Sequence, residues 1–591
     1  MTSRRVLTLA TAALLLEVLP RVVAHGNDGG HIDIGAHDAP RPQVQDNGRP
    51  QSYWSFPEHS GLIYIHITLE VITWVVILPV AVMLSIARSH FTLLAQFIFL
   101  IINAFALLLG IVYDHKTPEL YENNSHSKIG WIITWIASAW VFMALVQVYT
   151  KRPKVDSWEN HSVHRMTTAN MAQYQRVQGS QLPDPSRWSN DSGQGTERNS
   201  ASLYGHSRSP SVESEDQHFT GPSRRYSHDD EDAFHDDSEK RGILRNTPVD
   251  RFLSRNLARF AVGRPLRILR ILYIMIDRTI LILGFVALTT GTVVYGGIAR
   301  GNDIFNVLAH YIKGGIFFGY GLLTLGRWMG AFADYGWAWN MKPPQEVVGR
   351  RRAAIPSAEF TESFVIFLYG CTNVFMEHLA AWGDAWTAQD LEHVSISVMF
   401  FGGGMLGMIV ESRKMRELLN TSVLSSQPAS QHIDEPWQPP RQYGYSMNPI
   451  PGLIILLLGK MMSSHHQDSV LSTMIHTQWG GMFMGFALAR ALTYITLYIS
   501  PPTSYLPSRP PTEVITAFCL VGGGITFMVS NKDTVARLES YGLDAMFTFT
   551  VTMGFTALIM AWTTVLMAIK GWAVRKESTS QFAKHSAGVL A

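Results

Sequence analysis

Long apolar runs and short polar connections alternate along almost the whole chain. The runs occupy 61–86, 91–113, 129–149, 279–298, 306–327, 361–381, 394–411, 470–498, 513–530 and 543–569. Each is close to or above the ~20 residues that cross a hydrocarbon core as a helix. A shorter run at 449–462 brings the number of expected spans to about eleven. Lipid offers the backbone no water, so every spanning run must satisfy its own N–H and C=O groups and is expected to be helical. The pattern predicts an all-α, multi-pass membrane helical bundle. If 449–462 only dips into the bilayer, every later segment inverts. The basic Arg575-Lys576 tail argues for a full crossing.

Charge between the runs orients the bundle. Lys151-Arg152-Pro153-Lys154, Arg350-Arg351-Arg352, Arg413-Lys414-Met415-Arg416 and Arg575-Lys576 fall in connections of one parity. Connections of the other parity, 114–128, 299–305, 382–393 and 531–542, are poorer in Lys and Arg. The positive-inside rule therefore puts the mature N-terminus in the lumen or outside the cell, and the C-terminus in the cytosol. On that topology Asn123-Asn124-Ser125 is a lumenal glycan acceptor, and the sequons at Asn160, Asn190 and Asn420 are cytosolic and unused. Upstream, Arg4 and Arg5 precede the apolar stretch Val6 to Leu16, and Val22-Val23-Ala24 supplies a small-residue cleavage site. Residues 1–24 thus read as a secretory signal, which directs the chain to the endomembrane system.

The polar stretches divide the rest. Residues 25–56 form a short lumenal segment too small for a core, and 57–150 a three-helix membrane portion. Residues 151–250, rich in Ser, Arg, Asp and Gly, read as a long disordered cytosolic loop. Within it, Arg208-Ser209-Pro210 and the segment Arg224 to Asp230 have the character of sites for cytosolic kinases or adaptors; a plain solvated linker is the alternative. An Arg-rich apolar stretch at 251–278 fits an amphipathic juxtamembrane helix on the anionic leaflet. A multi-helix membrane domain (279–570) and a cytosolic tail (571–591) complete the chain. With 47% hydrophobic and 16% charged residues and a net charge of +2, the composition averages these two populations and gives no reason to expect a nucleic-acid partner. The two cysteines, Cys371 and Cys519, both lie in apolar runs, which argues against a disulfide framework or a Cys-based zinc site.

Placed on this topology, the histidines within or beside spans gather near one membrane face. His59 and His66 open the first span, His115 and His126 flank the next lumenal loop, and His310 lies in the fifth span. His378 and His393 border the loop after the sixth, and His465, His466 and His476 flank the entrance to the ninth. His90 alone falls on the other side. Glu70, Asn373, Glu377, Asp390 and Glu392 share the lumenal level, and intramembrane polar groups normally face a bundle interior. His66 and Glu70 are one helical turn apart, so the carboxylate is placed to orient the imidazole or to hold a cation of its own. A single boundary histidine is more often a hydrogen-bonded interfacial residue; a one-sided cluster points towards a divalent metal or a haem. Arg490, inside the ninth span, is placed to snorkel or to pair. Gly402-Gly403-Gly404 and Gly522-Gly523-Gly524 allow close helix approach.

Residues 61–149 resemble the membrane core of the b561-type cytochromes, through His66, Trp74, Pro79, His90, and His126 with Ile129-Gly130. That resemblance implies haem b shared by the first and third helices, here ligated by His66 and His126. It also implies a second haem at His90, whose partner would come from the fourth helix. The run 279–298 holds no histidine, and His161 and His164 lie before the polar insertion. Glu70 departs from the family pattern. The segments beginning at Ala309, at Phe375 and at Ser508 resemble a fungal integral-membrane family, named after a yeast transmembrane protein, whose activity is unassigned.

Three functions follow as expectations. The first is a transmembrane oxidoreductase with haem b, passing electrons to a lumenal acceptor such as a metal ion. The second is a metal-handling or transport protein using His310, His378, His393, His465, His466, His476 and Glu377, a donor set suited to zinc, copper or iron. The third is a membrane scaffold whose cytosolic loop recruits partners.

Overall fold

In a computed structural model of the chain, residues 52–150, 264–373, 386–424, 444–465 and 467–590 are described, and among them there is no strand. The expected signal, the segments 25–51 and 151–263, and His378, Glu377 and His466 lie outside the described residues.

Four helices form the N-terminal bundle: α1 (Ser60–Ile86), α2 (Thr92–Lys116), α3 (His126–Thr150) and α4 (Arg264–Gly296). Trp74, Leu78, Phe99, Trp140 and Ile280 fill its centre. Residues 264–278 continue without a break into the fourth span, so this part of the expected juxtamembrane helix is the lower half of α4. Two inward polar contacts explain why it joins the bundle: Trp140 Nε1 donates to Asp277 (3.2 Å), and Tyr273 Oη lies 2.6 Å from Ser85 Oγ.

The second group comprises α5 (Asp303–Met329), α6 (Ala358–Asn373), α7 (Ala388–Glu411), α8 (Arg413–Leu424), α9 (Ile450–Ser463), α10 (Val470–Ile499), α11 (Thr512–Val529), α12 (Lys532–Ser540) and α13 (Ala545–Leu590). Phe317, Ile455, Trp479, Phe483 and Phe527 make its core. Lipid tails are as apolar as leucine, so association rests on close packing and on polar contacts rather than on expulsion of water. The glycine triplets show how. A Cβ at Gly524 of α11 would stand 2.6 Å from the Phe318 nitrogen of α5, and one at Gly404 of α7 would stand 2.7 Å from the Ser363 oxygen of α6. Only glycine permits those two backbone contacts.

Eight of the described helices are long and apolar enough to cross a membrane, against about eleven expected. The other three are α5, less apolar because it carries Asn306, Lys313 and several glycines, α6, described only to Asn373, and the 14-residue α9.

Helix α13 ties the two groups together. Pro79 has no N–H, so the Val75 carbonyl one turn earlier is freed, and α1 widens into a π turn over Ile72–Ile77. The freed oxygen accepts Trp562 Nε1 of α13 at 2.8 Å. At the His66 end, the loops are tied as well. Tyr121 Oη donates to Ile298 O (2.7 Å), Arg300 to Leu120 O (2.7 Å), and the Ala299 N–H to Asp533 (2.6 Å).

Trp562→Phe is expected to cost about 1–3 kcal/mol by orphaning the Val75 carbonyl, read as unfolding in detergent. Gly524→Ala should cost about 1–3 kcal/mol by overpacking, whereas Gly481→Ala, with open space at the Cβ, should cost nothing. Equal losses for the two glycines would contradict the close-approach explanation.

Candidate functional site

His66 lies two turns inside α1 and is half-buried. Its Nδ1 is 2.8 Å from Ala106 O of α2; a carbonyl can only accept, so Nδ1 carries the proton and Nε2 keeps its lone pair. His126, at the start of α3, is held in the same way by α4. The Thr290 hydroxyl already donates to Val286 O (2.9 Å), so its lone pair accepts His126 Nδ1 at 3.1 Å. Each ring rests on a glycine: a Cβ at Gly110 would meet His66 at 3.0 Å, and one at Gly291 would meet His126 at 3.1 Å. About two turns from Gly110, Asn103 is buried with its carbonyl oxygen unpaired, and the buried Tyr113 hydroxyl is also unpaired. The bundle thus presents two imidazoles with free Nε2 atoms, glycine cradles behind both, and unfilled polar capacity nearby. Those features fit a bis-histidine haem.

Glu70 turns out to serve the scaffold. Its carboxylate accepts Trp74 Nε1 at 2.6 Å, fixing the indole at the π turn. His90, at the opposite end, is engaged by α13: Glu577 Oε1 accepts both its backbone N–H (2.9 Å) and its Nδ1 (2.8 Å).

The expected metal donors are only partly brought together. His310 and His476 meet edge to face, with ring centres 6.1 Å apart. Each spends Nδ1 on its own helix, on Asn306 O and Ser472 O, both at 2.8 Å. His465 pairs with Glu392 at 3.1 Å, and His393 lines a cavity of about 300 Å³. Among the described residues no three His, Cys, Asp or Glu side chains gather as a metal site. Both cysteines are free thiols.

A constellation that sequence reasoning missed lies at the other end of the second helix group. Arg327 of α5 reaches two carboxylates of α6: Glu362 at 2.6 Å and Glu359 at 2.9 Å. Arg490 of α10 stands 3.4 Å from Glu362 and 2.8 Å from Glu513 of α11. All five are buried. Trp339 lies over both guanidiniums, 4.3 Å from Arg327 and 5.7 Å from Arg490. The Trp339 segment is clasped by the proline-rich connection after α10: Asn340 donates to Tyr505 O (2.8 Å), and Met341 N to Ser504 O (3.0 Å). Ion pairs so deep are expensive unless geometry compensates them. The available signal was Glu359 and Glu362 three residues apart, together with Arg490.

Fold and interior together define a multi-pass helical membrane protein with ionisable groups sequestered inside its helices. Residues 283–571 match the family model described as Protein YTP1-like, C-terminal, and residues 48–150 match a domain of unknown function, DUF2427. An uncharacterised membrane protein of Schizosaccharomyces pombe is 32% identical over 89% of this chain and 98% of its own length. One of Saccharomyces cerevisiae is 37% identical over 59% of this chain and 57% of its own length. Protein YTP1 of that yeast is 24% identical over 32% of this chain and 34% of its own length. The chain belongs to the YTP1-like family of fungal membrane proteins. No solved structure matches it.

Arg327→Leu strands two buried carboxylates and is expected to cost about 3–5 kcal/mol in detergent unfolding. Arg352→Leu, which breaks an exposed pair with Asp334, should cost under about 1 kcal/mol. Similar costs would show that burial does not govern the network.

Proposed function

We propose that the N-terminal bundle holds one haem b between His66 and His126, and that the protein is a transmembrane oxidoreductase of the endomembrane system. The supporting observation is the pair of fixed tautomers, each imidazole giving its Nδ1 proton to a neighbouring helix and keeping a lone pair on Nε2. A haem b so held supplies one-electron transfer. The chain's own contribution is orientation. Ala106 O and Thr290 Oγ1 fix the ring planes, and the paired Nδ1 atoms raise the basicity of both ligands. Gly110 and Gly291 let the rings lie directly against α2 and α4, while Trp74, pinned by Glu70, belongs to the apolar core of the same bundle. His90 stands apart from this site, bound to Glu577. The charge pattern puts the His66 end on the lumenal side, so the acceptor belongs there.

A second reading rests on the His310–His476 pair, whose two free Nε2 atoms could begin a divalent-metal site completed by His378, His393, His465, His466 or Glu377. Elemental analysis of purified protein tests it. Metal lost on His310→Ala and His476→Ala supports the site, and unchanged metal content refutes it.

For the haem, protein purified after expression with ample haem should give a bis-imidazole visible spectrum that sharpens on reduction. His66→Ala and His126→Ala should each abolish it, and His90→Ala should leave it intact. A wild-type protein without that spectrum would sink the reading.

A further inference from the structure

The buried network of the second helix group carries an imbalance of charge. It contains two guanidiniums, Arg327 and Arg490, and three carboxylates, Glu359, Glu362 and Glu513. If all five ionise, one negative charge is left over in a region from which solvent is excluded, and an uncompensated buried charge is among the costliest features a fold can carry. The surrounding groups do not supply the missing positive charge. Tyr320 of α5 and Tyr494 of α10 contribute neutral hydroxyls, at 3.4 Å from Arg490 and Glu359 respectively. Glu411 of α7 is a further acid, matched by its own Arg416 at 3.6 Å. Lys342, in the connection between α5 and α6, and the exposed Arg413 of α8 are the other cations nearby; Lys342 donates its Nζ to Ile355 O at 2.5 Å, and neither forms an ion pair with Glu359, Glu362 or Glu513.

The network also has two distinct outlooks. Glu362 and Tyr320 form part of the wall of the mainly apolar cavity of about 300 Å³ between α5, α6, α7, α9 and α10. Arg327 and Glu359 line a second, more polar cavity of about 400 Å³ at the end of the helices. Glu513 lines neither and is fully buried. Its oxygens have only off-axis contacts, with Arg490 Nε at 2.8 Å and with Thr493, whereas Glu359 and Glu362 each receive an aligned guanidinium N–H at 2.9 and 2.6 Å. Hydrogen bonds to the charged form are what hold a carboxylate ionised. Glu513 has the least such support of the three.

We propose that this network is a proton-binding site: it carries one proton beyond its two guanidiniums, resting chiefly on Glu513 and exchanged with water at Glu359, the carboxylate of the network that lines the polar cavity. A proton is the cation that fits, because each carboxylate of the network already has a guanidinium within 2.9 Å, whose charge repels a metal ion. Arg490 then couples the two outlooks. When Glu513 is protonated, Arg490 is left to Glu362; when the proton leaves, Arg490 must balance two anions at once. Proton occupancy thereby sets the charge presented to the apolar cavity, and the C-terminal unit becomes responsive to pH on the side where the polar cavity opens. This proposal is independent of the haem.

Infrared difference spectroscopy on full-length protein in lipid nanodiscs tests it. Wild-type protein at neutral pH should show the C=O stretch of a protonated carboxyl group, shifting when H₂O is replaced by D₂O. Because the count of charges decides the matter, Glu513→Gln, Glu362→Gln and Glu359→Gln should each abolish that band. Arg490→Gln should instead roughly double it, and the exposed Glu346→Gln should leave it unchanged. A merely structural role for these side chains gives no such opposite response. The proposal is overturned if wild-type protein lacks the band, if the band fails to shift in D₂O, or if it survives every carboxamide variant that folds. The first two outcomes need no variant.

Discussion

Within hydrocarbon, a polar group that its own helix cannot satisfy must be met by another helix, and much of this architecture follows from that requirement. Pro79 leaves the Val75 carbonyl without a donor, and the indole of Trp562 supplies one across the bundle. Asp277 is buried in α4 and receives the indole of Trp140; Glu70 receives that of Trp74. Three tryptophans thus hold three polar positions, each combining a large apolar body with a single donor at its edge. The positions of α1, α3, α4 and α13 follow from those pairings as much as from apolar packing.

Much of this was legible in the sequence, because spanning length and apolarity are local properties. The helices fall where the runs lie, and the three-helix portion could be read from the apolar runs, whereas the pairing of His66 with His126 was implied by the b561 resemblance. Two expectations needed the third dimension. Residues 264–278 look amphipathic because Arg267 and Arg270 recur among leucines and isoleucines, yet Tyr273 and Asp277 belong to the interior of the bundle, so the segment continues as helix. The role of Glu70 could not be read from its distance to His66, since Trp74, one turn the other way, is what it holds. The buried network was less legible still. Glu359 and Glu513 sit at the edges of apolar runs, where acidic residues ordinarily meet solvent, and Glu362 is 128 residues from Arg490. Pairings at that separation leave no trace in local pattern.

The two halves use ionisable side chains in opposite ways. In the N-terminal bundle His66 and His126 each have Nδ1 held by a neighbouring helix, and these bonds fix the ring planes. In the C-terminal half the charged groups satisfy one another, and a pair of clasped loops with Trp339 covers them. The first arrangement orients single side chains; the second is a closed circuit whose stoichiometry is uneven.

The seat that Trp562 fills on α1 also has a history within each molecule. Val75 emerges from the ribosome 487 residues before its partner. Throughout synthesis of the intervening helices, the first span therefore lacks the donor that its Val75 carbonyl finally receives. Completion of α13 is therefore the event that closes α1, and a chain arrested before Trp562 would present to the quality-control machinery a defect located far upstream of the point of arrest.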